Sequence, residues 1–262
     1  MKLDPLSGVT IGVTRAKEQS RSFIKKIEAL GGTAIPVPLL AFQPPKDKHK
    51  IITALSELHT YDWLILTSAN GVHFFLNDVQ EQDKFSILNE MNIAVVGTKT
   101  GEVLQSYGLQ PSLLPEKFVA ESLLEELRVK LPTDSRVLVV KGNLSRDIIY
   151  EGLKNDGFAV EEVVVYETVE NDGVDEDIMQ VLTQQTLDYL TFTSPSTVNH
   201  FVNIMNKYAL SISSDLMFVC IGPITAQAAQ HAKLHPLLVA EEYTTEGMIE
   251  EIVQHIRRQK DV

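Results

Sequence analysis

Short apolar runs rich in β-branched residues alternate along this chain with longer stretches whose apolar positions recur every three or four residues. The first pattern fits buried strands and the second fits helices with one apolar face. Strands are expected over 9–14, 33–38, 63–67, 93–96, near Leu113, and over 136–141, 159–166, 190–193, 217–221 and 237–240. The helix after the first strand shows Phe23, Ile24, Ile27 and Leu30 at helical spacing and stops at Gly31-Gly32. A helix to about Leu58 precedes the third strand, and others start at Ala69, Thr98 and about Ala120. A further one carries Ile149 and Leu153, and the last turns Met248, Ile249, Ile252, Val253 and Ile256 to one side. Two stretches break the rhythm. Residues 40–48 hold Pro44-Pro45 and charges, and residues 167–173 are charged, so both read as linkers or crossing segments. Alternation of this kind implies parallel sheets covered by helices on both faces.

The pattern repeats. Gly97 and Thr100 return as Gly222 and Thr225 at an offset of 125, and Phe118 to Leu127 returns as Tyr243 to Ile252. Thr67-Ser68-Ala69-Asn70-Gly71-Val72 aligns with Thr193-Ser194-Pro195-Ser196-Thr197-Val198 at 126; Ile11 to Arg15 aligns with Val137 to Lys141, and Gly31 falls on Gly157. Four units recur in one order at nearly constant spacing, which marks an internal duplication. One departure stands out: Gly108 stops a helix in the first copy, but Ala232-Lys233-Leu234-His235 occupies that place in the second, so a different turn is expected there.

Ligands of parallel sheets bind at the carboxyl ends of the strands. The repeated polar clusters fall there: Thr67, Ser68 and Asn70; Gly97 to Thr100; Lys141 to Asn143; Thr193 to Ser196; Gly222 to Thr225. Ser, Thr and Asn cap helices in any case. Five clusters on equivalent edges in two copies nevertheless suit a binding role, because helix N-termini present unpaired N–H groups and a positive dipole end to anions.

The length of 262 residues fits two domains, and 44% hydrophobic with 22% charged residues describes a globular chain. A net charge of −12 argues against a nucleic-acid partner. Residues 1–5 show no leader-like apolar core and no apolar run is long enough to span a membrane, so a cytoplasmic protein is expected. Cys220 is the single cysteine and reads as buried filler in a strand. Walker, dinucleotide-binding, nucleophile-elbow and zinc-protease motifs are missing. His231 and His235 have ligand spacing without a carboxylate partner, and His73 and His200 read as exposed helix residues rather than bases. What remains is hydroxyls, amides, helix N-termini, the cations Arg15, Lys141 and Arg146, and Tyr166 at the second break. This inventory suits carboxylate recognition with modest proton transfer from a phenol, and equally a non-catalytic two-lobed binder of a small polycarboxylate.

At these residues the chain resembles the uroporphyrinogen-III synthases, from about Val9 to Ile256. The carriers are Val13-Thr14-Arg15, Thr67 to Val72, Val96-Gly97 with Thr100, Lys141-Gly142 with Arg146, and Val165-Tyr166-Glu167-Thr168. Phe192 to Ser196, Ile221-Gly222-Pro223 with Thr225, and Tyr243-Thr244 complete the set. The resemblance implies two flavodoxin-like α/β lobes with parallel sheets, internally duplicated and joined by two crossing segments. One lobe would combine 1–38 with 174–262, the other would be 47–165, the crossings 39–46 and 166–173, and the active cleft would lie between the lobes. The implied reaction takes linear hydroxymethylbilane, expels its hydroxyl as water and closes the ring with inversion of the last pyrrole, without cofactor or metal. Tyr166 matches the tyrosine that assists hydroxyl departure. Arg15, Thr67, Ser68, Asn70, Gly97, Thr100, Lys141, Gly142, Arg146, Thr193, Ser194, Ser196, Gly222, Thr225, Tyr243 and Thr244 would bind the eight-carboxylate substrate, and the chain would act as a cytoplasmic monomer. Lys141 stands where the family often has arginine, giving a point charge instead of a fork.

Overall fold

The structure, a computed structural model, describes residues 4–171, 175–184 and 187–260. In chain order the elements are β1 (Thr10–Val13), α1 (Lys17–Ala29), β2 (Thr33–Pro36), β3 (Leu40–Gln43), α2 (His49–Ser56), β4 (Trp63–Leu66), α3 (Ala69–Glu81) and β5 (Asn92–Val95). Then follow α4 (Thr98–Ser106), α5 (Ala120–Lys130), β6 (Arg136–Gly142), α6 (Ile148–Asn155), β7 (Ala159–Glu170) and α7 (Asp175–Thr183). The chain ends with β8 (Tyr189–Phe192), α8 (Pro195–Lys207), β9 (Met217–Cys220), α9 (Pro223–His231), β10 (Leu237–Val239) and α10 (Thr245–Lys260). Two compact units result. Unit one holds residues up to Ala41 and from Val169 onward, and unit two holds Phe42–Thr168.

The sheet of unit one has the order β10-β9-β8-β1-β2, every neighbouring pair parallel. Numbered within the unit, this is the doubly wound order 2-1-3-4-5. Unit two has the order β3-β7-β6-β4-β5, with β7, β6, β4 and β5 parallel. Here the repeat offset becomes structural: β6 stands for β1, β7 for β2, β4 for β8 and β5 for β9. The fifth position is taken by a single bridge from Ala94 to Leu113 in place of the short strand expected there. Each sheet is wrapped on both faces. In unit two, α2, α3 and α4 pack Ile51, Val72, Phe75 and Leu104 on one side, and α5 and α6 pack Leu123, Leu127 and Ile149 on the other. In unit one, α8 and α9 cover one face with Phe201 and Ala229, while α1 and α10 cover the other with Phe23, Ile27 and Met248. Full burial of each large apolar side chain contributes roughly 1.5 to 3 kcal/mol, which is why β4 and β8 are buried at all four positions. Cys220 is buried in β9.

Both expected breaks contain strand. Leu40–Gln43 forms β3 at the sheet edge beside β7, and Pro44-Pro45 ends it instead of dissolving the whole stretch. β7 likewise continues through the charged residues to Glu170, because a strand beside β3 needs backbone partners more than apolar side chains. Asp172 and Gly173, the end of the second expected break, lie outside the described residues. His200 also departs from expectation. It is buried on the broad inner stripe of α8, with Nδ1 3.1 Å from the Glu170 carboxylate.

The duplication extends to backbone dihedrals. Gly31 and Gly157, Asp83 and Ala209, and Gly108 and Lys233 are matched pairs with φ between 49° and 89°. The expectation of a different turn after α9 is therefore overturned. Gly108 N–H donates to Gln105 O and Lys233 N–H to Gln230 O, both at 2.9 Å, while Leu109 and Leu234 N–H reach back to Leu104 and Ala229 O. Lys233 adopts the left-handed conformation that glycine supplies in the first copy, since the helix must end there to feed β10. A side chain at φ 60° costs about 1 kcal/mol. Lys233→Gly is accordingly expected to raise unfolding stability by up to about 1 kcal/mol, the gain in backbone fit being partly offset by glycine's greater unfolded-state freedom. Urea unfolding at neutral pH measures this, and a lower midpoint would show that the lysine side chain contributes more than the turn costs.

Candidate active site

In each sheet the connections leave in opposite directions at one pair of strands: β1 and β8 in unit one, β6 and β4 in unit two. Adjacent loops diverge there and leave the crevice in which such sheets bind ligands.

In unit two this place is built around Tyr166. The β6–β7 ladder runs Lys141 opposite Val164 and then Gly142 opposite Tyr166, so β7 carries an extra residue at a bulge. The bulge lays the phenol across the backbone of Gly142. A Cβ on that glycine would stand 2.4 Å from the ring Cζ and 2.7 Å from the hydroxyl. The ring stacks on Phe74 of α3 at 5.5 Å and meets Phe42 of β3 edge-on at 5.6 Å, both favoured aromatic geometries. Asn143 holds the following backbone: its N–H donates to Tyr166 O at 3.1 Å, and its Oδ1 accepts from Thr168 N–H at 2.8 Å. Tyr166 is only 8% exposed, yet its hydroxyl reaches the N-terminus of α3, 3.2 Å from Ser68 Oγ. Ser68 caps that helix by accepting from Gly71 N–H at 3.0 Å, and Thr67 Oγ1 donates to Val140 O. Asn70 lies half-buried in the first turn.

Unit one repeats the frame without a phenol. Ser194 caps α8 through Thr197 N–H, and its hydroxyl pairs with the exposed Ser196 at 2.9 Å. Thr193 is half-buried before it. Thr14 Oγ1 donates to Thr191 O and Thr191 Oγ1 to Gly12 O, locking β1 to β8 inside the sheet. Gly97 and Gly222 begin α4 and α9 as N-caps, whereas Thr100 and Thr225 are turned inward and buried. Exposed aromatics overhang both glycines: Phe118 Cβ lies 3.5 Å from a Cβ placed on Gly97, and Tyr243 Cδ1 lies 3.1 Å from one on Gly222. Thr244 Oγ1 accepts from Gly247 N–H and so caps α10.

The three candidate cations are not alike. Lys141, 6% exposed, ion-pairs with Asp147 and with Glu162. Burial pulls its ammonium down, but the hydrogen bonds to these carboxylates outweigh that and hold it above the usual lysine value. Arg146 is exposed and paired with Glu121 at 2.9 Å. Arg15, at the carboxyl end of β1, donates to the Gln19 amide at 3.1 Å and has no carboxylate partner among the described residues. Its Nε is buried without an acceptor, and desolvation lowers its pKa from the usual arginine value. A half-buried guanidinium that still lacks a counter-ion is ready for an incoming carboxylate.

Phe42 and Phe74 were absent from the sequence-derived site, and Asn143 stood there only as the end of the Lys141 to Asn143 cluster, without its part in holding the backbone after Tyr166. Glycine inside a buried strand end was the available signal, since it marks a bulge or a close approach. A cavity of about 390 Å³ elsewhere in unit two, lined by Thr53, Leu138, Tyr150, Val160 and Glu161, includes none of these groups.

Two doubly wound units of one duplicated pattern, each with helix N-caps at the carboxyl ends of its strands, define a duplicated α/β protein. The family described as uroporphyrinogen-III synthase HemD matches residues 21–250. A uroporphyrinogen-III synthase from Synechococcus elongatus is 32% identical over 263 residues, covering 98% of this chain and 99% of that protein. The porphyrin biosynthesis protein HemD of Ruminiclostridium josui is 29% identical over 95% of this chain, which spans 49% of that longer protein. The crystal structure of a uroporphyrinogen-III synthetase from Helicobacter pylori shares the fold with a TM-score of 0.64 at 16% identity, covering 94% of this chain and 99% of that one. The chain belongs to the uroporphyrinogen-III synthase family.

Proposed function

We propose that this chain converts linear hydroxymethylbilane into uroporphyrinogen III, with Tyr166 as the proton donor to the departing hydroxyl. The observation that carries the reading is the phenol held against Gly142 and Ser68 at the β6–β4 switch point, in a chain of this family. Protonation lets the hydroxyl leave as water while the pyrrole nitrogen's lone pair fills in, giving an exocyclic methylene cation. Attack by the substituted carbon of the last pyrrole gives the spiro intermediate whose rearrangement inverts that ring. The final loss of a ring-carbon proton returns one proton to the phenolate. Only a proton donor and acceptor are consumed and restored, so the proposed cycle needs no cofactor.

Substrate carboxylates are assigned to the N-termini of α3, α4, α8 and α9 and to Arg15. Each helix end contributes roughly 0.3 to 1 kcal/mol when exposed and about 2 when partly buried. Lys141 and Arg146 are already paired within the protein and are assigned to holding the β6 end and α6 in place. Arg15→Gln is expected to raise KM by about 10-fold or more, the value of one charge-assisted hydrogen bond, with kcat changed much less. Steady-state kinetics on freshly generated bilane reads this out; an unchanged KM would remove Arg15 from the binding set. On the same reading the chain acts as a cytoplasmic monomer, in keeping with one cysteine and an acidic charge balance. Among the described residues no helix is long and apolar enough to cross a membrane.

The test is direct. The protein is given hydroxymethylbilane, the products are oxidised to porphyrins, and the type I and type III isomers are separated. Type III in excess supports the proposal; type I alone at the rate of a blank would reduce the chain to a polycarboxylate binder.

A further inference from the structure

We propose that Ser68 is a positioning residue whose hydroxyl donates to the phenolic oxygen of Tyr166 and so aims the phenol's own proton at the substrate. The inference rests on the function proposed above and assigns Ser68 a part other than the substrate contact expected from sequence.

The duplication supplies the comparison. Ser68 and Ser194 are matched N-caps, each accepting a backbone N–H three residues on, at 3.0 and 3.3 Å. Capping uses one lone pair and leaves the hydroxyl hydrogen and one further lone pair. In unit one these are spent locally, on Ser196 and Thr197 hydroxyls at 2.9 and 3.4 Å. In unit two, Asn70 and Gly71 stand at those positions, and the Ser68 hydroxyl turns instead to Tyr166 Oη, 98 residues away in sequence and 3.2 Å distant. A cap alone needs no such partner.

Either hydroxyl can donate in that bond, and the proposal gives the part to Ser68, whose hydrogen the cap leaves free. With Gly71 N–H already donating to Ser68 Oγ, Ser68 sends its hydrogen to Tyr166 Oη, and the phenol's hydrogen remains for the leaving hydroxyl. The three groups then form one chain of donors beginning at the positive end of α3, and each bond strengthens the next. When the phenol hands its proton to the departing oxygen, the charge left on Oη faces a hydroxyl hydrogen and a helix N-terminus. The proton lost from the substrate's ring carbon then restores the phenol, and Ser68 keeps its own hydrogen throughout.

The test uses Ser68→Gly, because glycine is itself a tolerated N-cap and leaves α3 with little penalty. Ser68→Gly is expected to lower kcat about 10-fold with KM changed less than about twofold, and Ser68→Thr, which keeps the hydroxyl, to restore most of the loss. In a Tyr166→Phe background, Ser68→Gly is expected to change kcat no further. A raised KM at unchanged kcat would overturn the proposal and return Ser68 to substrate contact, with the synthase reading intact. An equal loss in both backgrounds would overturn it too, since Ser68 would then act independently of the phenol. Absence of type III product from the unsubstituted protein is the separate result that would remove the underlying function.

Discussion

Tyr166→Phe is expected to lower kcat for the type III isomer about 100-fold, the lower end of what a positioned general acid contributes. The fold should survive. The aromatic cage of Phe42 and Phe74 grips the ring and not the hydroxyl, so phenylalanine keeps both contacts. Only the bond to Ser68 is lost, worth about 1 kcal/mol. KM should move little if the carboxylates of the substrate supply its binding, as the helix N-termini and Arg15 suggest. A second signature lies in the product. Bilane cyclises unaided to the uninverted isomer, so a slowed enzyme should yield a rising share of type I as the uncatalysed reaction competes. Single-turnover kinetics with isomer separation measures both. Full-rate turnover by Tyr166→Phe would end the acid role, leaving the phenol as a packed strand-end aromatic in a synthase that works by positioning alone.

Gly142→Ala is expected to be nearly as damaging to kcat and, unlike Tyr166→Phe, to stability as well. The added methyl would stand 2.4 Å from Tyr166 Cζ and 2.7 Å from Cε2, where no carbon can remain. Retreat is blocked, because Phe74 lies stacked on the ring and Phe42 closes against it edge-on. Overpacking of this kind costs about 1 to 3 kcal/mol, and a phenol displaced by even 1 Å is no longer aligned with its leaving group. The discriminating measurement is the double variant. Removing the ring with Tyr166→Ala should make Gly142→Ala nearly harmless to stability, with both read by urea unfolding. If Gly142→Ala cost the same with and without the ring, the glycine would be required by backbone conformation and not by the tyrosine.

The difference among Arg15, Lys141 and Arg146 illustrates how far local sequence reaches. All three were legible as cations near strand carboxyl ends. Their availability was not, because Glu162 reaches Lys141 from 21 residues away and Glu121 reaches Arg146 from 25. Ion pairing of that range depends on which helix covers which strand. The same limit applies to His200, whose burial comes from the width of the α8 stripe, and to Lys233. A helix-ending turn is set by what the next strand needs, and a lysine can be held at positive φ when the surrounding fold fixes the turn. The two breaks, read as linkers or crossing segments, do contain the passages between the units, but they also carry strand, because the ends of β3 and β7 are held by backbone pairing and their side chains show little apolar signal.

The sequence by itself determined the duplication, the alternation of strand and helix and the serine caps at 68 and 194. It also determined that the polar clusters gather at strand carboxyl ends. These are local or periodic properties, written in residues close together along the chain or repeated at a constant offset. Only the tertiary structure decided that β6 lies beside β4, that the bulge drops Tyr166 onto Gly142, and that Ser68 of the first repeat and not Ser194 of the second meets a phenol. Those outcomes rest on contacts between residues 24 to 98 positions apart, fixed by the joint packing of two helix layers on one sheet, and no stretch of chain carries that information alone.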